Sequence, residues 1–112
     1  MSDCLFCKIA AGEIPADKVL EEDDLIAFRD IHAQAPTHLL VIPRAHIATL
    51  NDATAADEAL LGRLLGACRR AAAAEKLGEY RIVNNCGESA GQSVFHIHMH
   101  VLGGRRLGWP PG

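Results

Sequence analysis

The stretch VFHIHMHVL at positions 94–102 decides how this chain is read, because its polar and apolar residues alternate from Phe95 onward. Alternation of period two marks a β-strand with one face in a core. On that reading Ile97, Met99 and Val101 enter the core, while His96, His98 and His100 project together from the opposite face. With about 6.6 Å between residues i and i+2, His96 and His100 start about 13 Å apart, too far to share an ion bound about 2 Å from each nitrogen. At most two adjacent members can hold one metal.

Immediately before this strand, Gly91, Gln92 and Ser93 combine a glycine that allows close backbone approach with amide and hydroxyl donors suited to an anion. Beside aligned imidazoles, that loop points to phosphoryl chemistry. A neutral imidazole can attack phosphorus at physiological pH, crowding by its neighbours helps keep it uncharged, and preorganised donors stabilise the charge that develops.

Working outward, THLLVIP at 37–43 is an apolar run ending at Pro43, read as a buried strand with His38, Leu40 and Ile42 on one face and Leu39 and Val41 on the other. Val19–Leu20 and Leu25–Arg29 flank the acidic cluster Glu21 to Asp24 and form a hairpin whose acids are expected to be solvated. CLFCKIAA at 4–11 reads as a short helix. Thr54, with Asp57 three residues on, opens a long helix striped by Leu60, Leu61, Leu64, Leu65 and Cys68 and ended by Gly78. Tyr80–Asn84 is a further strand, leading into the loop 84–93. The expectation is one α+β domain over residues 1–112, with a five-stranded, mostly antiparallel sheet, one long helix and one short helix.

Length and composition agree with a single core: 112 residues, 49% hydrophobic and 22% charged. The formal charge of -3, with no basic block, argues against a polymeric nucleic acid partner. No apolar run approaches the roughly 20 residues of a membrane span and the N-terminus lacks the pattern of a signal peptide, so a cytoplasmic protein is expected. In that compartment the four cysteines stay reduced. Cys4 and Cys7 form C-x-x-C, which by itself is compatible with zinc, thiol redox chemistry or coincidence, although no thioredoxin-like context surrounds it.

HIHMHVL at 96–102 resembles the His-x-His-x-His-x-x signature of the histidine-triad (HIT) family of nucleotide hydrolases and transferases, and GQSVFHIHMHVLGGR with the WPPG ending resembles its purine nucleoside phosphoramidase branch. GEIPA (12–16), FRDI (28–31) and PTHLLVIPRAHI (36–47) extend the resemblance from Phe6 to Gly112. It implies a HIT-like fold and hydrolysis of purine nucleoside 5'-phosphoramidates, and also of aminoacyl-adenylates. His98 would be the nucleophile that becomes nucleotidylated, and His38 would orient it. His100 and Gln92 would hold the α-phosphate, with Gly91 and Asn85 beside it and Ser93 at the leaving group. Asp30 would hold the ribose, and Phe6, Ile9, Ile14, Phe28 and Ile31 would wall the purine.

The resemblance further implies structural zinc on Cys4, Cys7, His46 and His96, as in zinc-bearing branches, and no organic cofactor. It implies a homodimer in which the tail bearing Trp109 reaches the partner subunit's nucleotide site. His32 and Ala33 depart from the usual Ser-Pro after Asp30-Ile31, which bears on substrate range. Two rival readings are a dinucleoside polyphosphate hydrolase of the same superfamily and a zinc-bearing interaction module with a vestigial nucleotide site.

Overall fold

A computed structural model describes residues 3–112; Met1 and Ser2, which begin the expected domain and the N-terminus read above for a signal peptide, lie outside the described residues. Five strands, β1 (Lys18–Glu21), β2 (Leu25–Arg29), β3 (Thr37–Pro43), β4 (Tyr80–Val83) and β5 (Met99–Gly103), form one sheet in the order β1-β2-β3-β5-β4, and every pairing is antiparallel. Helices α1 (Leu5–Ala10) and α2 (Glu58–Ala74) pack on opposite faces of it.

The period-two pattern sorts the strands between the two helices. Leu25, Ala27, Leu39, Val41, Met99 and Val101 meet Leu64, Ala67, Cys68, Ala71 and Ala72 of α2. Ile26, Phe28, Leu40 and Ile42 meet Phe6 and Ile9 of α1, with Ile14 and Val94 at the margin. The alanines let α2 lie close against the strands. Apolar area removed from water at about 25 cal/mol per Å2 supplies most of what holds this sandwich together.

Several expectations need correction. The final strand begins at Met99 rather than Val94, because pairing with β3 starts at Val41↔Met99 and the chain before it turns away. The box of Thr54 and Asp57 caps a single 3-10 turn, Ala55–Asp57, that runs into α2. That helix stops at Ala74, where Lys76 at φ 60° turns the chain, so Gly78 lies beyond its end. Leu65 is half-exposed, and the buried stripe continues through alanines instead. Nor are all four turn acids merely solvated: Glu22 pairs with Arg70 and Asp24 with Arg63, docking the hairpin onto α2.

Candidate active site and metal centre

One cleft of about 780 Å3 opens beside α1 and is lined by Phe6, Ile9, Ile14, Phe28, Asp30, Ile31, His38, Gly91, Ser93, His98 and His100, among others. Its apolar wall is built by the α1 face of the core, with Phe6 edge-on to Phe28 at 5.6 Å and to His98 at 5.1 Å between ring centroids. Ile31 is 90% exposed and stands at the rim.

The triad lies on the α1 side of the sheet, where Phe6 is edge-on to both His96 and His98, and divides along that side between two sites. His98 and His100 line the cleft with ring centroids 5.1 Å apart. His96, fully buried, turns its Nδ1 to Cys4 Sγ at 3.3 Å, Cys7 Sγ at 3.5 Å and His46 Nδ1 at 3.3 Å. The spacing of about 6.6 Å between residues i and i+2 steps the rings along that side, so His96 reaches the thiols at the start of α1 while His98 and His100 stay in the cleft.

Neighbouring backbone groups settle the proton positions. A carbonyl can only accept, so the 2.8 Å contact from His98 Nδ1 to the His96 carbonyl places the proton on Nδ1 and leaves Nε2 of a neutral ring with its lone pair. The Gln34 N–H donates to His38 Nδ1 at 3.0 Å, which puts the His38 proton on Nε2. From there it is donated to His100 Nδ1 at 2.9 Å, leaving Nε2–H of His100 as a donor. His38 thus orients His100, while the carbonyl of His96 holds the ring of His98. Asp30 Oδ2 lies 3.4 Å from His38 Nε2, and its Oδ1 accepts from the His32 N–H at 2.8 Å.

Burial favours the neutral rings. Desolvation lowers the pKa of His38 and of His98, with Asp30 pulling the other way in both; the His96 carbonyl also opposes it at His98. His100 is pushed down to about 4 by burial and then by His98 and His38, against Asp30.

The metal-type cluster is built on the same logic. His96 Nε2–H donates to the Pro43 carbonyl at 2.8 Å, so Nδ1 faces the cysteines with a free lone pair. Cys4, Cys7, His46 and His96 bring their ligand atoms within 4.8 Å of one another, and two thiols with two imidazoles suit a tetrahedral Zn2+. Cys4 caps α1, its Sγ accepting from the Cys7 N–H at 3.3 Å, so both thiols lie on one side of the helix start. Asp30, His38 and His100 form a second group of possible ligands. Its His38 is the wrong tautomer for a cation, because a lone pair at Nε2 would set an Nδ1–H against the Gln34 N–H.

Two expected nucleotide contacts, Gln92 and Asn85, do not line this cleft, and Trp109, expected at the partner subunit's site, stands apart from it as well. The Gln92 side chain is buried and internally engaged: its Oε1 accepts from the Gly87 N–H at 2.8 Å, and its Nε2 donates to the Ala48 and Val94 carbonyls at 2.8 and 3.0 Å. Asn85 packs under Gly91, where φ is +106° and an added Cβ would meet Asn85 Nδ2 at 3.3 Å. Trp109 is 82% exposed beside Arg81. None of the three lines the cleft of its own chain. Sequence reasoning passed over Asn84, whose Nδ2 donates to the His98 carbonyl at 2.9 Å. Its place at the end of a strand, directly before a polar loop, was the available signal.

A family model for the HIT domain matches residues 11–107. The chain belongs to the HIT family. A HIT-like protein of Synechococcus elongatus, itself uncharacterized, is 55% identical over 111 residues, covering 98% of this chain and 97% of that one. The crystal structure of a HIT family hydrolase from Legionella pneumophila superposes with TM-score 0.95 at 55% identity, over 98% of this chain and 100% of the other. A histidine triad protein from Clostridium difficile superposes with TM-score 0.93 at 38% identity, over 96% of each chain. The fold of this HIT chain is therefore that of proteins named as hydrolases. No helix among its described residues is long and apolar enough to cross a membrane.

Proposed function

We propose that this HIT protein hydrolyses purine nucleoside 5'-phosphoramidates through a covalent nucleotidyl-histidine on His98, with aminoacyl-adenylates as further substrates. The carrying observation is the pair of tautomers in the cleft: a lone pair on His98 Nε2 beside an N–H on His100 Nε2. One is a nucleophile and the other a donor for a phosphoryl oxygen. The apolar wall of Phe6, Ile9, Ile14 and Phe28 suits a purine, and Asp30, which lines the same cleft, offers carboxylate oxygens to ribose hydroxyls.

In the first step His98 Nε2 forms a bond to phosphorus and the P–N bond breaks. The nitrogen leaves as an amine after taking a proton from solvent by way of the Ser93 hydroxyl at the exposed rim. In the second, water attacks phosphorus, the N–P bond to His98 breaks, Nε2 regains its lone pair and the water proton returns to solvent. His100, held by His38, stays neutral and donates throughout.

Cys4, Cys7, His46 and His96 would hold zinc in a closed site. Bound there, the ion would supply a crosslink between α1 and the segment before β5, with no open position for substrate. The four free thiols fit a reducing, cytoplasmic setting. We further propose a homodimer, with the exposed Trp109 tail contributing to the partner subunit's site.

The test is mass spectrometry of enzyme quenched during turnover of adenosine 5'-monophosphoramidate, with an adenylyl adduct expected on His98 and none in His98→Ala. Preference for diadenosine polyphosphates over the phosphoramidate would overturn the substrate assignment, and an unmodified His98 during turnover would overturn the mechanism.

A further inference from the structure

Asn84 stands immediately after β4, whose last pair with β5 is Val83↔His100. Beyond that pair the ladder stops, and the carbonyl of His98 is met by a side chain, Asn84 Nδ2 at 2.9 Å. The other amide atom, Oδ1, is the single buried side-chain nitrogen or oxygen among the described residues with no hydrogen-bond partner. An orphaned buried acceptor is unfavourable, so the amide at this position carries a cost of its own in return for the one donor it offers to the His98 carbonyl. What the residue gains is a fixed orientation of that peptide.

We infer that Asn84 is a positioning residue for the nucleophile, clamping the His98 peptide so that the imidazole keeps its line of attack. This rests on the proposed His98 mechanism. Nδ1 of the ring is held by the carbonyl of His96 on one side, and the peptide that carries the ring is held by Asn84 on the other. Its neighbour Asn85 packs against the loop at Gly91, so the two asparagines tie the end of β4 to both halves of the cleft's phosphate end. Without the clamp the His98 carbonyl can rotate, and the ring with it; a displacement of about 1 Å at a reacting group can cost on the order of a hundredfold in rate.

The experiment compares wild type with Asn84→Val, and with Asn84→Ala should valine not be accommodated. Three readouts are taken: kcat and KM on adenosine 5'-monophosphoramidate, the melting temperature, and the imidazole nitrogen NMR signals of His98 in selectively labelled protein. The expected result is kcat lower by about tenfold to a hundredfold, KM within about twofold, a melting temperature for the valine variant within about 5 °C of wild type, since one orphaned acceptor is exchanged for another, and a shift from the single Nδ1–H form of His98 toward mixed forms. Unchanged kcat, or a loss of activity that only follows a loss of folded protein, would overturn the inference. Should wild type hydrolyse no phosphoramidate, the proposed function fails on its own, and the clamp is then judged by the His98 signals: a shift in the variant sustains it and identical spectra overturn it.

Discussion

Replacing Gln92 by alanine tests how the loop before the histidines is built. By resemblance Gln92 would be a phosphate ligand, yet its side chain makes three hydrogen bonds inside the protein, to the Gly87 N–H and to the Ala48 and Val94 carbonyls. At about 1 kcal/mol net for each neutral hydrogen bond, their loss sums to about 3 kcal/mol. Truncation at a side chain only 3% exposed also leaves a small void and newly unpaired groups, while water entering from the nearby surface offsets part of that cost. For a domain of this size the expected fall in melting temperature is on the order of 10 °C. Gln92→Glu should behave similarly, because a carboxylate lacks the two donors that Ala48 and Val94 need. The assay is thermal and urea unfolding of both variants, with KM measured at a temperature where each is folded. A variant that melts within about 1 °C of wild type but shows a KM raised tenfold would refute this account and return Gln92 to the phosphate.

Gly91→Ala places a Cβ 3.3 Å from Asn85 Nδ2 at a φ of +106°, so it should lower both stability, by about 1–3 kcal/mol, and kcat/KM, as unfolding and kinetics would show. Metal analysis of the purified protein should find about one zinc per chain, and Cys7→Ser should lose it; at a metal concentration a thousandfold above Kd the accompanying loss of stability is about 4 kcal/mol. For pH, both His38 and His100 are depressed in the folded state, so the fold prefers their neutral forms. Their stabilisation is fully present above the ordinary histidine value of about 6.5 and is lost as pH falls from there toward about 4, where His100 itself titrates. Denaturant midpoints measured from pH 7.5 to 4.5 should fall, and His100→Gln should flatten that decline.

Much of the fold was legible in short stretches. The apolar run at 37–43, buried on both faces, and the alternation in the second half of 94–102 place strands correctly, because burial against the helices demands those patterns locally. The stripe of α2 was legible for the same reason at period 3.6, and failed at Leu65, where alanines farther along fill the core instead. The cleft residues Phe6, Ile9, Phe28, Asp30, His38, His98 and His100 could all be named from motifs.

The tautomers of the histidines, and the pairing of His38 with His100 rather than with His98, could not be. A ring's free nitrogen is decided by whichever group meets the other one, and two of those groups come from far along the chain: the Pro43 carbonyl, 53 positions from His96, and His38, 62 positions from His100. Cys4 reaches His96 across 92 positions of sequence, and Gln92 is diverted inward by a carbonyl 44 positions away. Residue types and periodicity carry the demand for burial, which is local and repeats along the chain. Hydrogen bonds are directional and satisfied one partner at a time, so tautomer and side-chain orientation wait for the packed sheet.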